Sequence, residues 1–159
     1  MRETASNITT AIDHVNIVVG DIEAMAAFYR DVIGLELYKD AFIEGDWVDD
    51  VVGLQQVRAK VVFLRGFTGS NLELIQYLNP VGETPQNIGI SNSRGIRHIA
   101  FRVADVSAMV ERCKEKGIKT SPVHDVPIAQ VKFDSSAKRK RICYLHDPEG
   151  NLLEFCAYE

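Results

Sequence analysis

Two histidines and two glutamates recur at matched positions in the two halves of this 159-residue chain. They are His14 and Glu73 in the first half and His98 and Glu154 in the second. Segments 12–25 and 96–109 align without a gap around the histidines, and segments 72–77 and 153–158 align around the glutamates. Two imidazoles and two carboxylates neutralise a divalent cation and suit Zn, Ni, Co, Mn or Fe(II). The repeat therefore indicates a metal site.

Strand alternation gives these four residues a common face. Glu154, for example, lies between Leu153 and Phe155 in an alternating segment. Successive side chains of a strand point to opposite faces, so the carboxylate projects away from the apolar row that packs on helices. An unpaired carboxylate among apolar neighbours is costly to bury, which predicts a cation beside it. If the two halves pair about a pseudo-twofold axis, we expect all four side chains to converge on one ion.

The elements that position these residues follow the same order in both halves. The first half predicts strands at 12–19, 35–38, 57–64 and 71–78, with a helix that begins at Ile22 after an Asp21 cap and ends at Gly34. The second half predicts strands at 96–103, 118–120, 141–145 and 152–158, a helix at 106–116 after Asp105, and a tight hairpin at 147–151.

This order predicts an α+β fold of two tandem βαβββ modules forming a curved mixed sheet. We place the modules of a single domain at 10–79 and 95–159, with a linker at 80–94 that is rich in Gly, Pro, Asn and Ser.

Two long stretches fall outside the repeated pattern and are predicted as loops. Residues 41–56 are acidic and contain Trp47, which either covers the core or roofs a pocket. Residues 124–141 end in the basic run 138–141, which is either a solvated hairpin end or an anchor for an anionic substrate group. His124 and His146 have no counterpart in the repeat, so we interpret them as surface residues.

Composition narrows the class of protein. A hydrophobic content of 46% favours a folded domain, and a net charge of -4 argues against non-specific nucleic-acid binding. Residues 1–7 lack the apolar run of a signal peptide, and no stretch of 18 apolar residues occurs. Three scattered cysteines predict reduced thiols rather than a disulfide framework. We therefore expect a cytoplasmic protein with a small-molecule substrate and no nucleic-acid or membrane partner.

The chain resembles a known family over residues 12–158. The resemblance lies in the paired modules, the strand-initial His14 and His98, the helix exit 28–35 (FYRDVIGL) and the ending 147–154 (DPEGNLLE). These features are similar to the vicinal oxygen chelate superfamily, which includes glyoxalase I, methylmalonyl-CoA epimerase, extradiol dioxygenases and fosfomycin-resistance enzymes. The resemblance is specific for the fold and the metal site and leaves the substrate open.

The resemblance implies a divalent-metal enzyme of lyase or isomerase type. The four repeated residues fall where glyoxalase I-like members place their metal ligands. In such members two vicinal oxygens of the substrate bind the ion, which stabilises an enolate or enediolate as a proton leaves the neighbouring carbon. By the same resemblance Glu154, with Glu73 as its partner, moves the proton as general base and acid. We also expect a homodimer. The two modules pair either within one chain or between the two chains of the dimer.

Departures from individual branches leave alternatives open. A glutamate at position 73 favours the isomerase branch over extradiol dioxygenases, which use two His and one Glu. The chain lacks the histidine, proline and lysine stretch usual in epimerases, and it lacks recognisable glutathione-binding signatures of glyoxalase I. The alternatives are an Fe(II) ring-cleaving dioxygenase that uses His14, His98 and Glu154, and a metal-free small-molecule binding or resistance protein of the same fold.

Strand alternation also predicts which residues contact the substrate. The predicted substrate-binding residues lie on the same strand face as the metal ligands. They are Asn16, Tyr77, Arg102, Cys156 and Tyr158. Arg102 is the candidate for a substrate carboxylate or phosphate because its planar guanidinium can bind either group with two hydrogen bonds. A surface salt bridge is the alternative for this arginine.

Overall fold

The computed structural model describes residues 11–66, 68–127, 129 and 137–159. Residues 1–10, which include the segment 1–7 predicted to lack a signal peptide, and part of the predicted loop 124–141 lie outside these ranges. The chain divides into two compact units, here called the first and second unit. The first comprises the residues up to Arg30 together with Gly34–Gly82, and the second comprises Asp31–Ile33 with Glu83–Glu159.

The first unit contains a four-stranded mixed sheet and two helices. Its elements are β1 (His14–Val18), α1 (Ile22–Phe28), β2 (Glu36–Glu44), α2 (Asp46–Val52), β3 (Arg58–Arg65) and β4 (Asn71–Asn79). The strand order is β1-β4-β3-β2, with β1 parallel to β4 and the other neighbours antiparallel. The predicted Asp21 cap is present, because its side chain accepts a hydrogen bond from the Ala24 N–H at 3.0 Å.

The core of the first unit lies between its sheet and α1. Leu72 and Leu74 of β4 are buried, as are Ile22 and Met25 of α1, which packs on β3 and β4. The helix continues as a π-helical turn over Tyr29–Ile33. It ends at Gly34, whose φ of 91° is a left-handed conformation that favours glycine.

The second unit repeats the arrangement with one helix. Its elements are β5 (His98–Arg102), α3 (Val106–Glu115), β6 (His124–Val126), β7 (Lys140–His146) and β8 (Leu152–Tyr158). The strand order is β5-β8-β7-β6, with β5 parallel to β8 and the remaining pairs antiparallel. In the β7–β8 hairpin, the Asp147 side chain accepts hydrogen bonds from the backbone N–H groups of Glu149 and Asn151. The predicted tight turn is therefore present.

The predicted α+β fold of two βαβββ modules is confirmed, with each module forming its own mixed sheet. Three details of the prediction are wrong. Residues 118–120 form no strand, since only Thr120 makes an isolated bridge, to Leu145, and the edge strand is β6. The predicted loop 41–56 contains the end of β2 and all of α2. His124 lies in β6 rather than in a loop, although it is exposed as expected. No helix within the described part of the chain is long and apolar enough to cross a bilayer.

Candidate metal centre

The first unit brings His14 and Glu73 together through the parallel pairing of β1 with β4. The His14 Nε2 atom lies 3.4 Å from the Glu73 Oε2 atom. On its other side the imidazole contacts the Asp13 carboxylate, with 2.8 Å between Nδ1 and Oδ2. That hydrogen bond raises the pKa of His14. Asn16 is directly opposite Glu73 in the register and donates a hydrogen bond of 2.9 Å from Nδ2 to the same carboxylate oxygen.

The second unit reproduces the pair with β5 and β8. The His98 Nε2 atom lies 3.4 Å from the Glu154 Oε2 atom, the same separation as in the first unit. Ala100 takes the position opposite the glutamate that Asn16 holds in the first unit. The two modules therefore place one imidazole and one carboxylate side by side in the same way.

Each pair has the geometry of two ligands of one ion. Two donors that bind a zinc ion at about 2.1 Å with a tetrahedral angle lie about 3.4 Å apart. In the first unit Asp13 holds Nδ1, which leaves Nε2 facing Glu73, an arrangement common for metal-binding histidines. Within the described residues of either unit, no third His, Cys, Asp or Glu completes a three-ligand cluster. Each unit thus fits half of the predicted four-ligand set.

Glu154 has two further partners that Glu73 lacks. The Lys140 Nζ atom lies 3.5 Å from Glu154 Oε1, and the two side chains are only 12% and 6% exposed. Burial acts to lower the pKa of Lys140, but the Glu154 carboxylate and a hydrogen bond with Tyr158 outweigh it and the pKa is raised. Burial, together with a hydrogen bond to Glu154, raises the pKa of Tyr144 to about 12. Both groups therefore keep their protons at neutral pH, one as a cation and one as a neutral donor.

Sequence reasoning missed Lys140 and Tyr144, although alternation contained the signal. Both lie on β7 with the same parity, and their register partners on β8 are Tyr158 and Glu154 respectively. The strand was predicted to begin at Arg141, one residue too late to include the lysine. Tyr144 also packs edge-on against the His98 ring, with 5.5 Å between ring centroids.

The basic run 138–141 is divided between different surroundings. Arg139 makes a two-point ion pair with Asp125, with both contacts at 3.0 Å. Arg141 donates a hydrogen bond to the Ser107 hydroxyl at 3.0 Å. Lys138 is exposed. Lys140 alone among the four pairs with a predicted metal ligand, so the run is neither simply a solvated hairpin end nor a single anchor.

The predicted substrate-binding residues have distinct surroundings. Asn16 lies beside Glu73 as described, and Tyr77 packs against the apolar cluster of Val48, Val57 and Ala59. Cys156 is buried, and burial is the main cause that raises the pKa of its thiol.

Tyr158 and Arg102 are in contact with each other. The Arg102 Cζ atom lies 4.9 Å from the Tyr158 ring centroid, and the Lys140 Nζ atom lies 5.4 Å from the same centroid. The two strands that flank β8, namely β5 and β7, therefore each place one cation against the Tyr158 ring.

Trp47 does not cover the core, and it is not among the residues that line the depression beside α2. Its side chain is 59% exposed, and Val48 is the residue of α2 that packs into the apolar cluster. A depression of about 550 Å³ lies beside α2 and is lined by Asp46, Asp49, Asp50 and residues 53–56. Asp49 already accepts hydrogen bonds from the backbone N–H groups of Gln56 and Val57, so it holds the exit of the helix. No predicted ligand is among the lining residues.

Comparison with known proteins identifies the family. The model of the Glyoxalase/Bleomycin resistance protein/Dioxygenase superfamily matches residues 11–155, and the chain belongs to this superfamily. An ethylmalonyl-CoA/methylmalonyl-CoA epimerase of Cereibacter sphaeroides is 31% identical over 148 residues, covering 90% of this chain and 94% of the epimerase. The uncharacterized protein YwkD of Bacillus subtilis is 25% identical over 145 residues, covering 91% of this chain and 94% of its own. A crystal structure of a glyoxalase family protein from Bacillus cereus has a TM-score of 0.80 and 26% identity, with 97% of both chains covered.

Proposed function

We propose that this protein is a divalent-metal-dependent enzyme that moves a proton to and from a carbon next to a substrate carbonyl. The proposed reaction is an epimerisation or isomerisation rather than the oxidative cleavage of a ring. One observation carries it: a histidine and a glutamate lie 3.4 Å apart at matched positions of both units. Superfamily membership and an epimerase among the relatives support the same class of reaction.

In this proposal His14, Glu73, His98 and Glu154 are the residues that hold the ion. The ion, when bound, polarises the carbonyl of the substrate and stabilises the negative charge of the enolate. Asp13 and Asn16 keep the first pair oriented through their hydrogen bonds to the imidazole and the carboxylate. Lys140 and Tyr144 do the same for Glu154 in the second unit.

The chain's own carboxylates carry the proton. Glu154 takes the proton from the substrate carbon, and Glu73 is the partner that returns a proton to that carbon. A neighbouring cation lowers the proton affinity of a carboxylate, so a glutamate accepts a proton more readily when its contact with that cation loosens. The substrate class is a small molecule with an exchangeable C–H beside a carbonyl, and coenzyme A thioesters of malonate type are the first candidates because a relative acts on them.

Metal content tests the proposal directly. Protein purified without chelator should contain about one divalent ion per chain by elemental analysis. His14→Ala and His98→Ala should each lower the bound metal at least about tenfold, because each removes one ligand. His124→Ala is the matched control, since this exposed histidine lies in β6 outside both pairs. Wild-type protein without metal, or alanine variants that retain it fully, would contradict the proposal.

Solvent exchange tests the reaction. In D₂O the metal-loaded enzyme should incorporate deuterium at the carbon beside the carbonyl of methylmalonyl-CoA or of another member of a thioester and hydroxyketone panel. Glu154→Gln should abolish this incorporation and Glu73→Gln should reduce it, both measured by mass spectrometry. Oxygen consumption with catechols under Fe(II), without deuterium exchange, would instead support the dioxygenase alternative.

A further inference from the structure

Arg102 and Lys140 flank one residue of the second unit's central strand. Arg102 is on β5 and Lys140 is on β7, and both strands pair with β8. Their charged ends lie 4.9 and 5.4 Å from the centroid of the Tyr158 ring. Two cations from opposite sides of β8 therefore contact the same aromatic side chain, next to Glu154 and Cys156 of that strand.

Arg102 differs from Arg65 and Arg139 in having no acidic partner among the described residues. Arg65 pairs with Glu36, and Arg139 pairs with Asp125 and Glu159. No Asp or Glu among the described residues lies within ion-pair distance of Arg102, and its side chain is exposed. Its guanidinium is thus held by a ring contact, which leaves the charge without a counter-ion from the described part of the chain.

The charge balance around Glu154 points in the same direction. Lys140 is the cation that pairs with Glu154, so these two charges neutralise each other. Arg102 adds a second positive charge near the same ring without adding a carboxylate. A site with an excess positive charge attracts an anion, and a guanidinium binds a carboxylate or a phosphate through two parallel hydrogen bonds.

The first unit lacks both cations at the corresponding positions. Val18 corresponds to Arg102 in the sequence repeat, and Ala59 is paired with Tyr77 as Lys140 is paired with Tyr158. The tyrosine alone is common to both units, and in the first it packs against apolar side chains. The cationic character is therefore a property of the second unit's face and not of the shared framework.

We propose that Arg102 and Lys140 form an anion-binding subsite at Tyr158, which takes a carboxylate or phosphate group of the substrate. This subsite rests on the proposed function, because it binds an anionic group of the substrate beside Glu154, the glutamate that moves the proton. Arg102 supplies the paired hydrogen bonds and the uncompensated positive charge, and Lys140 supplies an N–H donor from a fixed position next to Glu154. An anion held there orients the substrate relative to the carboxylate that moves the proton.

Anion titration of chelator-treated protein tests the subsite without depending on a metal. Calorimetry at constant ionic strength would use sodium malonate and inorganic phosphate as separate probes, and the tighter of the two identifies the group. Wild-type protein should bind at least one of them saturably. Arg102→Gln should weaken binding at least about tenfold because it removes a charged two-point contact. Arg102 is exposed, so this variant leaves no buried charge unpaired.

Two further variants complete the test. Lys140→Met should weaken binding while Lys140→Arg largely restores it, and thermal melting of both shows whether they fold. Arg65→Gln is the matched control, because Arg65 also lies over a tyrosine ring, 5.1 Å from Tyr38, but has its own partner in Glu36. Its affinity for the probes should be unchanged.

The outcomes separate this inference from the proposed function. Absence of saturable binding to wild-type protein, or equal binding by Arg102→Gln, overturns the subsite. If the metal analysis succeeds while Arg102→Gln binds anions normally, the subsite fails and the proposed function stands. If the variants lose anion binding but no preparation contains metal, the subsite stands and the proposed function fails.

Discussion

The two units share a framework but differ in what surrounds the glutamate at its centre. Glu73 contacts a histidine and the neutral amide of Asn16, and its side chain is 14% exposed. Glu154 contacts a histidine and the cation of Lys140, and it is 6% exposed. No Lys or Arg of the described residues lies within ion-pair distance of Glu73. The pair of donors is therefore duplicated, whereas the electrostatic surroundings are specific to each unit.

The opposite faces of the same strands show no such difference. Leu72 and Leu74 of β4 correspond to Leu153 and Phe155 of β8, and all four are buried. The apolar rows fix the fold in both units, because they pack where the helices lie. The comparison teaches that the units share their packing face and differ on the face that carries the paired histidine and glutamate.

The largest expected change in stability comes from substitutions on the apolar packing face that both units share. Leu74→Ala and Phe155→Ala should each lower the free energy of unfolding by about 3–5 kcal/mol, since each leaves a cavity in a fully buried position. Urea denaturation followed by circular dichroism measures the change. Val18→Ala is the control on the other face, and its 52% exposure predicts a change below about 0.5 kcal/mol. If only one of the two variants lost much stability, the packing faces of the two units would not be equivalent.

The next effect tests the difference between the two glutamates. In chelator-treated protein, Glu154→Gln should cost about 3 kcal/mol of unfolding free energy because it leaves the buried Lys140 cation without its counter-charge. Glu73→Gln should cost less than about 1 kcal/mol, because a neutral amide can still accept from Asn16.

A double variant identifies the cause of this difference. Lys140→Met combined with Glu154→Gln should recover most of the stability lost by Glu154→Gln alone, as removing both charges relieves the unpaired cation. Equal losses at Glu73 and Glu154, or a double variant less stable than either single one, would contradict the distinction between the two surroundings.

The smallest effect concerns the helix caps that both units use. Asp105 accepts hydrogen bonds from the N–H groups of Ser107 and Ala108, and Asp21 accepts one from Ala24. Alanine at either position should cost about 1 kcal/mol in the same denaturation assay. Asp50→Ala, an exposed position within α2, should change stability by less than about 0.5 kcal/mol. A cap variant indistinguishable from this control would show that the helix does not depend on its cap.

Alternation predicted the parts of the fold in which one face is clearly apolar. The strand 152–158 was predicted with the bounds that β8 has, and both aspartate caps were identified from their residue types. Each histidine was also correctly placed on the side away from the buried row. These features are set by local sequence, so they could be read without tertiary information.

The missed parts depend on contacts that a sequence does not display. Helix α2 buries only Val48, so its seven residues contain no apolar stripe and were interpreted as a loop. Lys140 was hidden by its charged neighbours, because a run of four basic residues suggests solvent exposure of all of them. Its burial follows from pairing with β8, where Glu154 and Tyr158 supply partners for the ammonium group. The four-ligand convergence remains a prediction.

The strand β8 carries both a buried apolar row and the predicted ligand Glu154 in seven residues, and this has a consequence for how its sequence can change. Leu153 and Phe155 hold the fold, and Glu154, Cys156 and Tyr158 alternate with them. Point substitutions on the second set alter charge and hydrogen bonding while leaving the buried row of Leu153 and Phe155 in place. A single inserted residue would exchange the two sets, because it turns Phe155 out of the packing row and turns the polar side chains into it. Natural diversification along this strand should therefore proceed by replacement and not by insertion or deletion.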